Sequence, residues 1–128
     1  MPRELTSHQV NGCNENIRIK VLDEPGHGGA CHRYVMYVPH DEFNEELNAS
    51  CVCHIDFQNG PIKEAGVNGF THEALLAILI DRLEGFQSGP YACIENSAAL
   101  SALKSAQGHL KSRTEKRLAR GVEGTHAV

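Results

Sequence analysis

Between Thr71 and Arg120 the sequence supports one simple reading: two helices and a break. Thr71 suits a helix N-cap, because its hydroxyl accepts from the free N–H groups of the first turn, and Glu73 follows where negative charge favours the helix dipole. Leu75, Leu76, Leu79, Leu83 and Phe86 then recur at helical spacing. Ile78 and Ile80 widen the stripe until the middle turns are apolar on more than one face. Such a helix must be covered on more than one face, which implies a partner chain. Ser88-Gly89-Pro90 ends it: Gly provides a C-terminal cap and Pro can open the next helix. The second helix is predicted from about Tyr91 to Arg120, with Cys93, Asn96, Leu100, Leu103, Gln107 and Leu110 as its inner stripe. Gly108 costs about 1 kcal/mol against Ala at mid-helix, and Gly121 is a natural stop.

The chain ahead of this hairpin reads differently. Ile17–Val21 alternates apolar and polar, which predicts a half-buried strand. His32–Val38 is rich in β-branched and aromatic residues and predicts a second strand, and Cys51–Phe57 reads as a third. Residues 1–15 are polar and expected to be loose, and Asp41–Ser50 is expected to be a loop or short helix. The tail, 121–128, has too little apolar content to be ordered alone. The expected fold class is α+β. A small antiparallel sheet (16–62) is followed by a C-terminal helical hairpin (71–120), in one domain of 128 residues. So short a chain with 5% aromatics and no Trp buries a thin core, and oligomerisation is a ready source of further stability.

Charge is unevenly spread. From Lys104 to Arg120 there are six basic residues and one acid, a local +5, while six basic and fifteen acidic residues elsewhere give −9, for a net −4. A local cationic stripe on an acidic body suits a small anionic ligand or an acidic partner face; it argues against a DNA- or RNA-polymer binder. No stretch has the form of a signal peptide, and no apolar run approaches the roughly 20 residues of a membrane span. Five cysteines, an odd number without a secretion signal, point to a reducing cytosol.

Catalytic and metal chemistry find little support. Cys51-x-Cys53-His54 lacks a second ligand pair, and its thiols are expected to be buried strand residues. His72-Glu73 resembles a fragment of a zinc-protease helix, but position 76 is Leu where the second His is required. No Gly-Lys-Ser/Thr loop and no paired nucleophile and base are present. Polar and aromatic groups on the hairpin are more informative. Phe86 and Tyr91 place two rings at its turn, and Asn96 puts an amide on the inner stripe. Arg113 and Arg117, four residues apart, share a helix face flanked by Lys116 and Arg120. Paired Arg side chains can hold a pyrophosphate through bidentate, charge-assisted bonds. A ring to stack, an amide to read a base edge and an Arg pair for phosphates make a nucleotide-binding set.

Phe57-Gln-Asn-Gly-Pro-Ile-Lys-Glu-Ala-Gly-Val-Asn-Gly69, Phe86-Gln-Ser-Gly-Pro-Tyr-Ala-Cys-Ile-Glu-Asn96 and Arg113-x3-Arg117-x2-Arg120-Gly-Val-Glu-Gly-Thr-His126 resemble the phage anti-Thoeris sponge family. The resemblance covers about residues 30–128, and the hairpin is shared with anti-CBASS sponges for cyclic oligonucleotides. It implies a protein without catalysis or cofactor that sequesters cyclic ADP-ribose isomers, such as glycocyclic ADP-ribose, in the cytoplasm of an infected bacterium. It also implies homodimers assembled into a hexamer, with the signal at subunit interfaces; some members hold cyclic di- or trinucleotides at separate sites. By this resemblance Phe86 stacks on adenine, Asn96 contacts base or ribose, and Arg113 and Arg117 hold the phosphates. The competing readings are a nucleotide hydrolase that degrades the signal and a small nucleic-acid-binding protein.

Overall fold

A computed structural model describes residues 2–39 and 49–127. The chain divides into two compact units, Met1–Gly60 with Val67–Gly69 and Pro61–Gly66 with Phe70–Val128. The segment expected to be a loop or short helix after Asp41 lies outside the described residues as far as position 48; Ala49 and Ser50 already belong to a strand.

The first unit is an antiparallel sheet of β1 (Arg3–Leu5), β2 (Arg18–Val21), β3 (Arg33–Pro39) and β4 (Ala49–Asp56), in that order across the sheet. The α+β class and the strand–hairpin order are as expected, with one strand more. β1 and a short helix, α1 (Gly12–Glu15), occupy the stretch expected to be loose. Its order comes from polar groups rather than apolar patterning. Arg3, Glu4 and Leu5 pair with Val21, Lys20 and Ile19, the Asn11 side chain caps α1 by accepting from Asn14 N at 2.9 Å, and a His8 ring nitrogen lies 2.7 Å from the Ile17 carbonyl oxygen. Val35 and Tyr37 are buried on one face of β3. Lys20 Nζ stands 5.7 Å from the centre of the Tyr37 ring, where its stem covers apolar surface. On the other face, the Tyr34 ring meets Phe57 edge-on, 5.6 Å between centroids.

A turn after β2 is organised by Asp23. Its carboxylate accepts from the backbone N–H of His32 (2.9 Å) and of Arg33 (3.1 Å), with the His32 ring 3.9 Å away. Desolvation pushes its pKa up, but the two backbone donors and the nearby His32 charge outweigh it, so the carboxyl titrates below its ordinary value. A lowered carboxylate stabilises the fold above its unfolded pKa and loses that contribution as pH falls through the folded value. We expect urea midpoints of wild type and Asp23→Asn to differ at pH 7 and to converge as pH falls below the ordinary aspartate range, where a lowered carboxylate protonates.

The thiols of Cys51 and Cys53 are exposed, a correction to the burial expected of them. β4 is an edge strand, and its pairing with β3 slips between Met36↔Cys53 and Val38↔Ser50. Two residues of β4, Cys51 and Val52, therefore oppose Tyr37 alone, and Cys51 takes up the extra length at φ +52°. Left-handed backbone is costly for a residue with a Cβ. Because Cys51 buries little, Cys51→Gly is expected to raise unfolding stability, by up to about 1 kcal/mol in a urea titration.

Gln58, Asn59 and Asn68 form a clasp in the same unit. Asn68 accepts from Asn59 N–H through Oδ1 and donates through Nδ2 to Asn59 O, both at 2.8 Å, so one side chain imitates a paired strand residue. Gln58 Oε1 accepts from Asn68 N–H at 3.0 Å, and its amide donates to Gly60 O at 3.1 Å. The clasp brings Gly69 so close to the preceding backbone that an added Cβ would lie 2.4 Å from the Phe57 carbonyl carbon.

The second unit contains α2 (Ile62–Ala65), α3 (His72–Gln87) and α4 (Ile94–Arg120). Thr71 caps α3 as expected, accepting from Ala74 N at 3.1 Å. Pro90 does not open α4. Residues after Gln87 form a connector instead, because the Gln87 side chain both accepts from Cys93 N (3.0 Å) and donates to Cys93 O (3.1 Å). Cys93 is the N-cap, its sulfur accepting from Asn96 N at 3.4 Å. Gly108 leaves α4 unbroken, and Gly121 ends it at φ +73°, where a glycine carries no Cβ penalty. The helices are cross-linked by Gln107 Nε2 to Glu73 O at 3.3 Å and by Lys104 with Glu84 at 3.2 Å. Ile80 is the buried residue of α3, while Ile78 is 66% and Leu79 48% exposed.

Candidate functional site

Each end of the hairpin carries a groove. At the connector, Phe86 sits half-buried in the last turn of α3. Its ring meets Tyr91 edge-on, at 6.3 Å and 81°, and the Arg82 guanidinium lies 4.8 Å from its centre. With Ile78, Asp81 and Pro90 these residues line a groove of about 570 Å³. The guanidinium over the ring is a cation–π contact, and it leaves Tyr91, 74% exposed, as a second aromatic surface. Asn96 is half-buried in the first turn of α4, on the other side of the connector.

Toward the other end of α4, Arg113 is exposed over a groove of about 410 Å³ lined by His109, Ser112, Lys116, Arg117 and Arg120. Four of these groups are basic, and two of them, Arg117 and Arg120, lie in the last turn of α4, where positive charge is favoured. The groove's chemistry is that of an anion site: guanidinium forks, an ammonium and a hydroxyl with no carboxylate among the lining residues. His109 has no counterpart in the sequence reading; four positions before Arg113 on a helix, it shares that face. Arg82 is likewise visible only once the Phe86 ring has a position, although its i, i+4 spacing to Phe86 is the signal that could have found it.

Arg117 has a different setting from Arg113. It is buried, only 8% exposed. Its Nε donates to Glu123 Oε2 at 3.0 Å, one terminal nitrogen donates to Val122 O (3.0 Å) and Thr125 O (3.2 Å), and the other to Ala127 O. The segment expected to lack order on its own is thus ordered around a charge. A buried guanidinium is stable only when paired and hydrogen-bonded, and main-chain carbonyls with one carboxylate meet that need here.

The chain brings Phe86 and Asn96 to the two sides of one connector, and Arg113 and Arg117 to one helix end. It does not bring the two pairs together. Asn96 and Arg113 are 17 residues apart on a continuous helix, about 25 Å at roughly 1.5 Å per residue.

Among the described residues no three His, Cys, Asp or Glu side chains are grouped to hold a metal, and no helix is long and apolar enough to cross a membrane. In class, the module is a helical hairpin with a ring-lined groove at its turn and a cationic groove near its end. The model of the Acb2/Tad1 hairpin domain family matches residues 50–115, just over half of the chain, and the protein belongs to that family. It is also 46% identical over 72 residues to Thoeris anti-defense 1 of Bacillus phage SBSphiJ7, an alignment covering 56% of this chain and 51% of the relative. The chain thus spans about half the length of the relative it matches.

Proposed function

We propose that this protein is a phage-encoded sponge that binds a cyclic ADP-ribose isomer, glycocyclic ADP-ribose, and withholds it from bacterial Thoeris immunity without cleaving it. The observation that carries the reading is the exposed Arg113 over a groove whose other lining cations are Lys116, Arg117 and Arg120. A pyrophosphate-bearing ligand is what such a groove selects. The membership in the hairpin family and the name of the phage relative support an anti-Thoeris role.

Phe86 and Asn96 hold the base and ribose in this reading, and Arg113 and Arg117 serve the phosphate end. One ligand is much shorter than the interval of about 25 Å between the two ends of α4. A two-fold partner joins them: the connector of one protomer meets the basic end of the other, giving two composite sites per dimer. Exposed Ile78 and Leu79 on α3 are apolar surface such a partner can cover. The protein acts in the cytoplasm of the infected host, as dimers that assemble into hexamers, and separate sites hold cyclic di- or trinucleotides. The test incubates protein with the signal, isolates the complex, heats it and analyses the released nucleotide. Intact signal appearing only on heating is the expected outcome. A new product would make the protein a hydrolase instead.

A further inference from the structure

The guanidinium of Arg117 makes four hydrogen bonds, all to residues 122–127. Those residues in turn hold a segment distant in sequence. Lys63 N–H donates to Gly124 O at 3.1 Å, and the His126 ring is 3.2 Å from the Glu64 carboxylate. Gly124 is buried at φ +80°, and an added Cβ would come within 2.7 Å of Ile62 Cγ1. Within the strap itself Val122 N–H returns to Arg117 O at 3.0 Å and Thr125 N–H to Val122 O at 3.1 Å.

We propose that Arg117 is a positioning residue: its guanidinium is the core of a strap, 122–127, that locks α2 and the end of α4 into one piece, and it acts on the bound anion through that strap. Arg113, with Lys116 and Arg120, meets the phosphates. The ligand half of this proposal rests on the sponge reading above; the strap half does not.

A single charge cannot replace the fork. Lys is a point cation with three donors that cannot span Val122, Thr125, Ala127 and Glu123 together, so Arg117→Lys keeps the charge and loses the strap. Gly124→Ala attacks the strap from the other side, since its methyl group meets Ile62 and Lys63 while every cation of the groove is retained.

The experiment is amide hydrogen exchange on the ligand-free protein, followed by calorimetric titration with glycocyclic ADP-ribose. Arg117→Lys and Gly124→Ala are each expected to speed exchange at least tenfold at Lys63, Val122 and Thr125, with the middle of α4 unchanged. Unchanged exchange in Arg117→Lys would overturn the strap, whether or not any nucleotide binds. In the titration, Gly124→Ala is expected to weaken binding as much as Arg117→Lys. Near-native affinity in Gly124→Ala beside a large loss in Arg117→Lys would mean that Arg117 contacts the anion directly. Absence of binding by the wild type would end the sponge reading while the exchange result still decides the strap.

Discussion

Replacing Arg113 by Glu is expected to weaken binding of the cyclic ADP-ribose signal at least about 100-fold while leaving the thermal unfolding curve in place. Arg113 is exposed on α4, so a change of sign there removes no packing. At the groove it does much more. A charge-assisted bond to phosphate contributes about 1.5–3 kcal/mol, and its replacement by a carboxylate adds repulsion. About 1.4 kcal/mol per tenfold converts such a loss into two or more orders of magnitude. Titration calorimetry on the folded variant measures it, and near-normal affinity would remove Arg113 from the site. The same variant tests whether sites are shared. Phe86→Ala and Arg113→Glu should each fail as homodimers. A mixed dimer pairs the intact Phe86 of one chain with the intact Arg113 of the other, so it should bind about one signal per dimer. A folded mixed dimer that binds none would show that the site is not assembled this way.

The largest effect on stability is expected from Gly69→Ala. The new methyl group would sit 2.4 Å from the Phe57 carbonyl carbon and 2.6 Å from both Asp56 O and Gln58 N. All three are main-chain atoms, which cannot swing aside as the end of a long side chain can. Either β4 shifts at its end or the Asn68 clasp opens and gives up its paired 2.8 Å bonds to Asn59. Overpacking against backbone with loss of hydrogen bonds costs about 3 kcal/mol or more, a fall in Tm on the order of 10 °C for a chain of this size. Differential scanning calorimetry checks it. A Tm within about 2 °C of wild type would mean that the close approach is relieved cheaply, since that shift is well under 1 kcal/mol.

These positions show which features the amino-acid sequence carries openly. The hairpin is legible because its signals are local: a 3.6-residue apolar period from Leu75 to Phe86, a Thr cap, a glycine stop at Gly121. The pairing of β1 is not, because three residues joined through main-chain groups leave no apolar pattern to read. The bulge at Cys51 depends on the register of β3, and a slip of one position turns side chains to the other face. Asn59-Gly60 and Asn68-Gly69 look like two separate turns in sequence; only in three dimensions does Asn68 become the partner of Asn59. Arg117 is the hardest case. Its spacing to Arg113 is plain, but its partners are mostly carbonyl oxygens, which every sequence possesses and no sequence marks.

In the proposed two-chain site, the unbroken length of α4 would tie the protein's potency to its own concentration. If neither end of the helix suffices for one ligand, a lone chain is inert, and binding capacity grows with the square of protomer concentration at high dilution. Early in expression, when chains are scarce, the signal would pass unopposed; once pairing saturates, capacity rises in proportion to protein. Ligand would in turn hold protomers together, so added signal should raise the fraction of dimer in dilute sedimentation experiments.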